Sequence, residues 1–289
     1  MRASRPLSTD PTDDRRELLA GQCIVSWLVL RDRRNHIHGR GAGDLLGKLG
    51  IFHCSAYSEG LGTSGGCGEG DILIDLGRWP ETGCIVRARR IGRQAGNAAL
   101  VCELLDLLHI QIQCLASQVA VRGAVAIGYL HRGPNGADRL SGPALSSARD
   151  MEREKVFLPL IAVAEEIVGR LRSDDSLWAA EHGLRSEMDI IEEMMTTDEA
   201  GLHCIDYLRA GLGDFAYDFD RYAEFLERHR RFVETGLAGV THMQDSHTYR
   251  WLKHYHNARI DDDISPPERG AASECGRAMA RVLEPLRIP

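Results

Sequence analysis

The stretch from residue 98 to residue 163 constrains the fold most, because its hydrophobic pattern changes between helical and extended spacing without a break. Its centre, residues 121–130, consists mainly of small and β-branched residues. It runs into the turn-forming sequence His-Arg-Gly-Pro-Asn-Gly, which predicts a buried strand followed by a tight turn. A helix before that strand is predicted by apolar residues at helical spacing: Val101, Leu104, Leu105, Leu108, Ile112, Leu115 and Val119.

A second helix and a second strand follow the turn. Pro143 stands where a helix can begin without losing a hydrogen bond, and residues 144–152 continue the helical pattern. Residues 157–163 are again apolar, and Pro159 among them indicates an edge or bulged strand. The order helix, strand, turn, helix, strand predicts an α/β (α+β) fold.

The residues before 98 are less regular. An apolar run over 23–30 predicts another buried strand, which must end at the charged sequence 31–34. About half of the chain's 30 glycines lie between 31 and 98, where only residues 70–76 indicate a strand, following a glycine turn. This stretch is either a long loop region or the product of a local reading-frame slip in a GC-rich gene.

The composition excludes several classes of protein. A formal net charge of −7 argues against nucleic-acid binding, which depends on clustered Lys and Arg. No apolar run approaches the roughly 18 residues that span a bilayer, and the first 20 residues lack the apolar block of a signal peptide. Eight cysteines without a C-x-x-C pair are expected to be reduced thiols. We therefore expect a cytoplasmic protein that binds neither membranes nor nucleic acid.

The chain divides into four predicted segments. Residues 1–20 form a polar N-terminal segment, and residues 21–175 hold the α/β domain. A helical extension follows over 176–258, and residues 259–289 are predicted to be a loose tail. Beyond residue 164 the sequence looks mainly helical, with helices predicted over 165–171, 188–195, 217–234 and 243–257.

Separated motifs in this chain resemble one known family. Residues 122–128 read Arg-Gly-Ala-Val-Ala-Ile-Gly, and residues 142–152 read Gly-Pro-Ala-Leu-Ser-Ser-Ala-Arg-Asp-Met-Glu. Nearer the C-terminus, residues 249–257 read Tyr-Arg-Trp-Leu-Lys-His-Tyr-His-Asn. Together they resemble the Pycsar pyrimidine cyclases of bacterial antiviral defence, which are divergent relatives of the class III nucleotidyl cyclases.

The resemblance implies a fold, a reaction and partners. The expected fold is the ferredoxin-type sheet of class III nucleotidyl cyclases with its helices, followed by a helical C-terminal extension. The expected reaction converts a pyrimidine nucleoside triphosphate, UTP or CTP, to the 3′,5′-cyclic mononucleotide and pyrophosphate. The family also implies a symmetric homodimer with active sites between the two copies, and a separate effector protein that reads the product.

Two metal ions, Mg²⁺ or Mn²⁺, held by two aspartates are a further implication of the resemblance. Asp71 is the candidate for the second aspartate, with Asp75 in reserve; the alternative is that Asp71 caps a surface turn. For the first aspartate, the family motif has an acid where this chain has Val29. Asp32 is the nearest acid, and it needs a bulge or bend to reach the same strand face. Otherwise it belongs to a solvated cluster of charges.

Arg122 and Ser146 are the candidate catalytic residues. Gly123, Gly128 and Tyr129 are the candidate residues for nucleotide contact, although both glycines could equally serve close packing of strands and helices.

Two positions of the second helix depart from the better-known class III cyclases. Ser146 and Asp150 stand where those enzymes carry an asparagine and an arginine that stabilise the transition state. Because an aspartate cannot stabilise developing negative charge, cationic help must come from Arg122, Arg149 or Arg153. Alternatively, these arginines form a solvated face or pair with Glu152 and Glu154.

Two other functions remain open from the sequence. One is a cyclase-like dimer without catalysis that acts as a nucleotide-binding or scaffold protein. The other is a metal hydrolase built on His242, His247, His254 and His256, whose spacing fits a metal site poorly and favours a packing and hydrogen-bonding role.

Overall fold

The computed structural model describes residues 21–31, 72–75, 84–91, 99–132, 140–171, 173, 183–198, 200–239, 243–264 and 274–289. The strands are β1 (Gly21–Arg31), β2 (Ile72–Asp75), β3 (Cys84–Arg90), β4 (Ala120–Arg132), β5 (Leu140–Ser141), β6 (Ile161–Val163), β7 (Met195–Thr197) and β8 (His203–Ile205). The helices are α1 (Ala99–Ala116), α2 (Pro143–Lys155), α3 (Glu165–Leu171), α4 (Gly183–Met194), α5 (Tyr207–Asp214), α6 (Phe219–Gly239), α7 (Met243–Ile264) and α8 (Glu274–Leu283), followed by a 3-10 turn over Glu284–Leu286.

Seven of the described strands form one mixed sheet in the order β2-β3-β1-β4-β6-β8-β7, and β5 pairs with the end of β4. β1 is antiparallel to both β3 and β4, whereas β4 and β6 are parallel. The predicted mixed α/β fold is therefore confirmed at this level. Two details differ from the prediction: β7 and β8 come from the region expected to be mainly helical, and β6 is an interior strand. Pro159 is not at a sheet edge, because it precedes β6, and its carbonyl accepts a hydrogen bond from Gln111 Nε2 at 3.0 Å.

β1 is buried on both faces, which explains its continuous apolar sequence. Its side chains alternate between two cores. Ile24, Leu28 and Leu30 pack in the core that contains α1, whereas Val25 and Trp27 pack in the core that contains α2. The two helices therefore cover opposite faces of the same central strand.

A buried cluster of charged side chains joins β3 to α1. Arg87 and Arg89 alternate on β3 and so face the same side, where Nε of each donates to Glu103 at 3.0 Å. Nη2 of Arg89 donates to Asp106 at 2.5 Å, and Nη2 of Arg87 donates to the same carboxylate. The Ser26 hydroxyl on β1 donates to Glu103 at 2.9 Å. Two positive and two negative charges thus neutralise one another away from water.

β3 was not expected from the sequence, in which residues 70–76 were the one convincing strand between 31 and 98. Its sequence Cys-Ile-Val-Arg-Ala-Arg-Arg breaks the apolar pattern because two of the three side chains on one face, those of Arg87 and Arg89, are charged. The charges are compatible with burial only because α1 supplies matching carboxylates.

α1 lies between the sheet and the C-terminal helices, where it contacts β4 on one side and α4, α5 and α6 on the other. By length and composition alone α1 could cross a membrane, but most of its residues are buried inside the protein. Its apolar surface is used by the core.

The C-terminal residues pack onto α6 and α7. The Asn257 amide donates to the Ile288 carbonyl at 3.0 Å and accepts from the Ile288 backbone N–H at 2.9 Å. Arg230 Nη1 donates to the Pro285 carbonyl at 2.6 Å, and Leu283 and Ile288 are buried. This arrangement differs from the loose tail predicted from residue 259, since α7 continues to Ile264 and residues 274–289 dock on the helices.

Two buried histidines form a hydrogen-bond chain in this helical region. Because the Leu286 carbonyl can only accept, His256 Nε2 donates to it at 3.0 Å. His256 Nδ1 then accepts from His229 Nδ1 at 3.1 Å, and His229 Nε2 accepts from the Tyr207 hydroxyl at 2.9 Å. With both imidazoles neutral, this assignment gives every ring nitrogen a partner. Burial lowers the pKa of His229 well below its usual value, and burial also lowers the pKa of His256.

The buried pair of His229 and His256 predicts a loss of stability in mild acid. Below about pH 6.5 both histidines are protonated in the unfolded chain but stay neutral in the folded protein. The free energy of unfolding therefore falls by up to about 1.4 kcal/mol per pH unit for each histidine. Urea unfolding between about pH 7.5 and about pH 5.5 measures the slope. The double variant His229→Gln with His256→Gln should be less sensitive to pH, whereas exposed His254→Gln should behave as wild type. An unchanged slope in the double variant would refute this assignment.

Candidate functional site

The predicted catalytic and nucleotide-contact residues lie on β4 and α2, which pack against each other. Gly142 stands directly before α2 with φ +137°, and Pro143 occupies the first turn of the helix. A Cβ at Gly142 would lie 2.5 Å from the Tyr129 carbonyl oxygen on β4. Only glycine therefore allows α2 to begin this close to the strand.

α2 presents two different faces. Its buried side consists of Ala144, Leu145, Ala148 and Glu152, which face the sheet. Ser146 lies on the exposed side, near the start of the helix. A hydroxyl there can donate or accept a hydrogen bond with a ligand.

Arg122 is tied to α2 from the strand. Its Nε donates to Glu152 Oε1 at 2.5 Å, the side chain of Arg122 is 17% exposed, and that of Glu152 is 2% exposed. Of the pairings that the sequence left open for the arginines, this one is present. It connects the two ends of the motif formed by residues 122–152.

The three candidate residues for nucleotide contact have different surroundings. A Cβ at Gly123 would lie 2.7 Å from the Trp27 carbonyl oxygen on β1, so close strand packing already accounts for glycine there. A Cβ at Gly128 would contact the Ala144 side chain at 3.4 Å, which places this residue beside the start of α2. Tyr129 is 54% exposed and is available to a ligand.

Asp71 and Asp32, the two candidate metal ligands, both lie outside the described residues. The strand ends to which they are bonded, Ile72 and Arg31, are far apart. Ile72 pairs with Arg89, which pairs with Ile24, and Arg31 follows Ile24 by seven positions on β1. At about 3.3 Å per residue this separates them by roughly 23 Å along the sheet.

The reserve candidate, Asp75, is the last residue of β2, at the end of the strand away from Ile72. It pairs with Val86, which pairs with Trp27. β1 and β2 are parallel to each other, since each is antiparallel to β3, so Asp75 and Arg31 both lie toward the same end of the sheet. Of the two candidates, only Asp75 lies within the described residues, and its backbone lies toward this end of the sheet.

Val29 occupies the position at which the resemblance implies the first metal ligand. It pairs with Cys84 on β3 and with Arg122 on β4, and it is 3% exposed. A directly opposed pair of residues shares one face of an antiparallel sheet. The Arg122 side chain therefore lies on the same face as Val29, where no carboxylate is contributed by β1.

The other arginines near Ser146 are held less firmly. Arg149 Nε donates to the neighbouring Asp150 at 3.1 Å, and both side chains are substantially exposed. Arg153 is exposed in the last turn of α2. Both therefore lie on the accessible side of the helix without a buried anchor.

The C-terminal histidines that the structure describes do not converge on a metal site. His242 lies outside the described residues, His247 and His254 are exposed, and His256 is buried in its hydrogen-bond chain. Among the residues described, no group of three or more His, Cys, Asp or Glu side chains could hold a metal ion. The structural interpretation of this helix is further supported by Trp251, which stacks on Tyr255 with ring centroids 4.9 Å apart.

The chain matches no family model, no curated protein and no solved structure. Its functional assignment thus depends on the motifs and on the geometry of β4 and α2.

Replacing Gly142 tests the junction between β4 and α2. Gly142→Ala should lower the free energy of unfolding by about 1–3 kcal/mol, because alanine is strained at this backbone conformation and meets the Tyr129 carbonyl. The matched control is Gly169→Ala in α3, where no atom lies within 4 Å of the new Cβ. It should be neutral or stabilising by up to about 1 kcal/mol. Equal effects of the two substitutions in urea unfolding would contradict this description of the junction.

Proposed function

We propose that this chain is a class III-type nucleotidyl cyclase. Its substrate would be a pyrimidine nucleoside triphosphate, UTP or CTP, and its products the 3′,5′-cyclic mononucleotide and pyrophosphate. The cyclic nucleotide would act as a second messenger in antiviral defence, read by a separate effector protein.

The observation that carries the proposal is the arrangement of the first strands. β2, β3, β1 and β4 are neighbours in that order, every adjacent pair is antiparallel, and α1 connects β3 to β4. This is the strand order of a ferredoxin-type sheet, which the resemblance to class III cyclases implies. The first of the two cyclase-like motifs, residues 122–128, lies on β4 of this sheet. The second, residues 142–152, begins directly before α2 and continues on this helix, which packs on the sheet.

The chemistry requires an anionic triphosphate to be held while the ribose 3′ oxygen attacks the α-phosphorus and pyrophosphate leaves. Ser146 is exposed and can hydrogen-bond a ribose hydroxyl, and Arg122 supplies a positive charge on the neighbouring strand. Carboxylates are the ligands that Mg²⁺ and Mn²⁺ prefer, so Asp75, Asp71 or Asp32 would hold such ions, which would neutralise charge on the triphosphate.

A second candidate is a dimeric nucleotide-binding or scaffold protein of the same fold without catalysis. Val29 favours it, because this apolar residue lies on the sheet face beside Arg122 where the resemblance implies a metal ligand. Asp150 points the same way, since its carboxylate cannot replace the missing arginine and is paired with Arg149.

Mass spectrometry after incubation with each of the four nucleoside triphosphates and Mn²⁺ tests the enzyme directly. Wild type should form cyclic UMP or cyclic CMP. Ser146→Ala should form it about tenfold more slowly, because one hydrogen bond to the nucleotide is lost. Ser147→Ala, also exposed and adjacent on α2, should change the rate by less than about twofold.

The outcome also separates the two candidates. If wild type forms no cyclic product but dimerises and binds nucleotide, the noncatalytic candidate replaces the enzyme. If the product persists undiminished in Asp75→Asn, Asp71→Asn and Asp32→Asn, the carboxylate assignment is wrong.

A further inference from the structure

We propose that Glu152 is a positioning residue for Arg122. It would fix the guanidinium group from the side, so that the two Nη groups of Arg122 bind the triphosphate of a nucleotide. This inference rests on the proposed function and adds to it the group that recognises the anionic part of the substrate.

The geometry of the pair is the first reason. Glu152 binds Arg122 through Nε, with 2.5 Å between Nε and Oε1. Within the part of the chain that the structure describes, Glu152 is the only side chain paired with Arg122. The fork formed by the two Nη groups therefore retains its donors, and this fork is the part of arginine that matches phosphate oxygens in pairs.

The cost of burial is the second reason. Glu152 is almost entirely buried in a helix face that otherwise consists of Ala144, Leu145 and Ala148. A buried ion pair is often no more stabilising than apolar residues of similar volume, so stability alone does not explain it. A carboxylate placed behind an arginine does explain it, because it holds a partly exposed cation in one position.

Preorganisation separates Arg122 from the other two candidate cations. Arg149 and Arg153 are on the accessible side of α2, and binding an anion there would require a long, mobile side chain to be ordered. Arg122 extends from a central strand and is already restrained by Glu152. A restrained donor loses less entropy on binding, so Arg122 is the strongest anion-binding group of the three.

The neighbouring strand β1 and the rest of β4 contribute no second carboxylate that could pair with Arg122. Its partner across the sheet on β1 is Val29, which carries no charge, and the next residue of β4 on the same face is Ala124, which is also uncharged. Ser146 and Tyr129 lie toward the other end of the β4–α2 unit, near the helix start. This order along the unit would place the triphosphate near Arg122 and the nucleoside near Ser146.

Isothermal titration calorimetry with UTP, UMP and inorganic triphosphate, all with Mg²⁺ present, tests the inference without requiring catalysis. Arg122→Gln alone would leave Glu152 buried without a counter-charge, so the informative variant is Arg122→Gln with Glu152→Gln, which keeps both positions polar and neutral. Thermal melting confirms that it is folded. It should bind UTP and inorganic triphosphate about 10- to 100-fold more weakly than wild type, and UMP with a smaller loss.

Glu152→Gln alone isolates the positioning role, because arginine remains but is no longer fixed by a charge. It should weaken triphosphate binding by about 2- to 10-fold, the cost of ordering one long side chain, and reduce the preference for UTP over UMP. Lys155→Gln is the control in the exposed last turn of α2 and should change neither value by more than about twofold. A purely structural role for Glu152 would lower the melting temperature without changing the UTP-to-UMP preference, which would overturn the inference.

The remaining outcomes distinguish this inference from the proposed function. Triphosphate binding that depends on Arg122 in a protein that forms no cyclic product would support the anion site and reject the enzyme. Cyclic product formed by the double variant at the wild-type rate would reject the anion site and keep the enzyme. A wild-type protein that binds neither UTP nor inorganic triphosphate would reject both.

Discussion

The fold depends on the neutralisation of two arginines that have no contact with water. Arg87 and Arg89 can be buried on β3 only if Glu103 and Asp106 arrive from α1 at the same place. Removing one member of such a cluster typically costs about 3–5 kcal/mol, because its partner is left as an uncompensated buried charge. This requirement fixes α1 on one face of the sheet, and α1 in turn carries the C-terminal helices. The opposite face is left to α2.

The candidate site uses the same principle on that opposite face, but with one difference. The pair formed by Arg122 and Glu152 is partly exposed and leaves donors of the guanidinium group available, whereas the β3–α1 cluster is sealed from water. The fully buried β3–α1 cluster stabilises the fold, whereas the partly exposed pair of Arg122 and Glu152 can bind an anion. The two clusters lie on opposite sides of the same central strands, so the ionic contacts of α1 do not compete with those of α2.

Elements with a clear hydrophobic period could be predicted from the sequence. The strands at 23–30 and 121–130, the helix carrying Val101 to Leu115 and the helix beginning at Pro143 all appear in the structure, as do helices near the four C-terminal positions expected. β3 was not predicted because charged side chains occupy the side that faces α1. Alternate arginines on a strand, together with acids three residues apart on an apolar helix, form the sequence pattern that could have indicated it. The motif formed by residues 122–152 could be recognised in the sequence. Sequence spacing cannot show, however, that its first and last residues, Arg122 and Glu152, pair between β4 and α2. The sequence favours Asp71 over Asp75 by its spacing from Arg122, and it does not show the register of β2, which depends on pairing with β3.

Nucleotide binding between β4 and α2 is tested most directly by the crystal structure of this protein with Mn²⁺ and a pyrimidine nucleoside triphosphate that lacks the 3′ hydroxyl and cannot cyclise. We expect two symmetric copies, with the triphosphate hydrogen-bonded to the Nη groups of Arg122 and the nucleoside beside Ser146. Arg122 would still be held by Glu152. A triphosphate bound away from β4 and α2, or an Arg122 that pairs with protein groups alone in the complex, would contradict it.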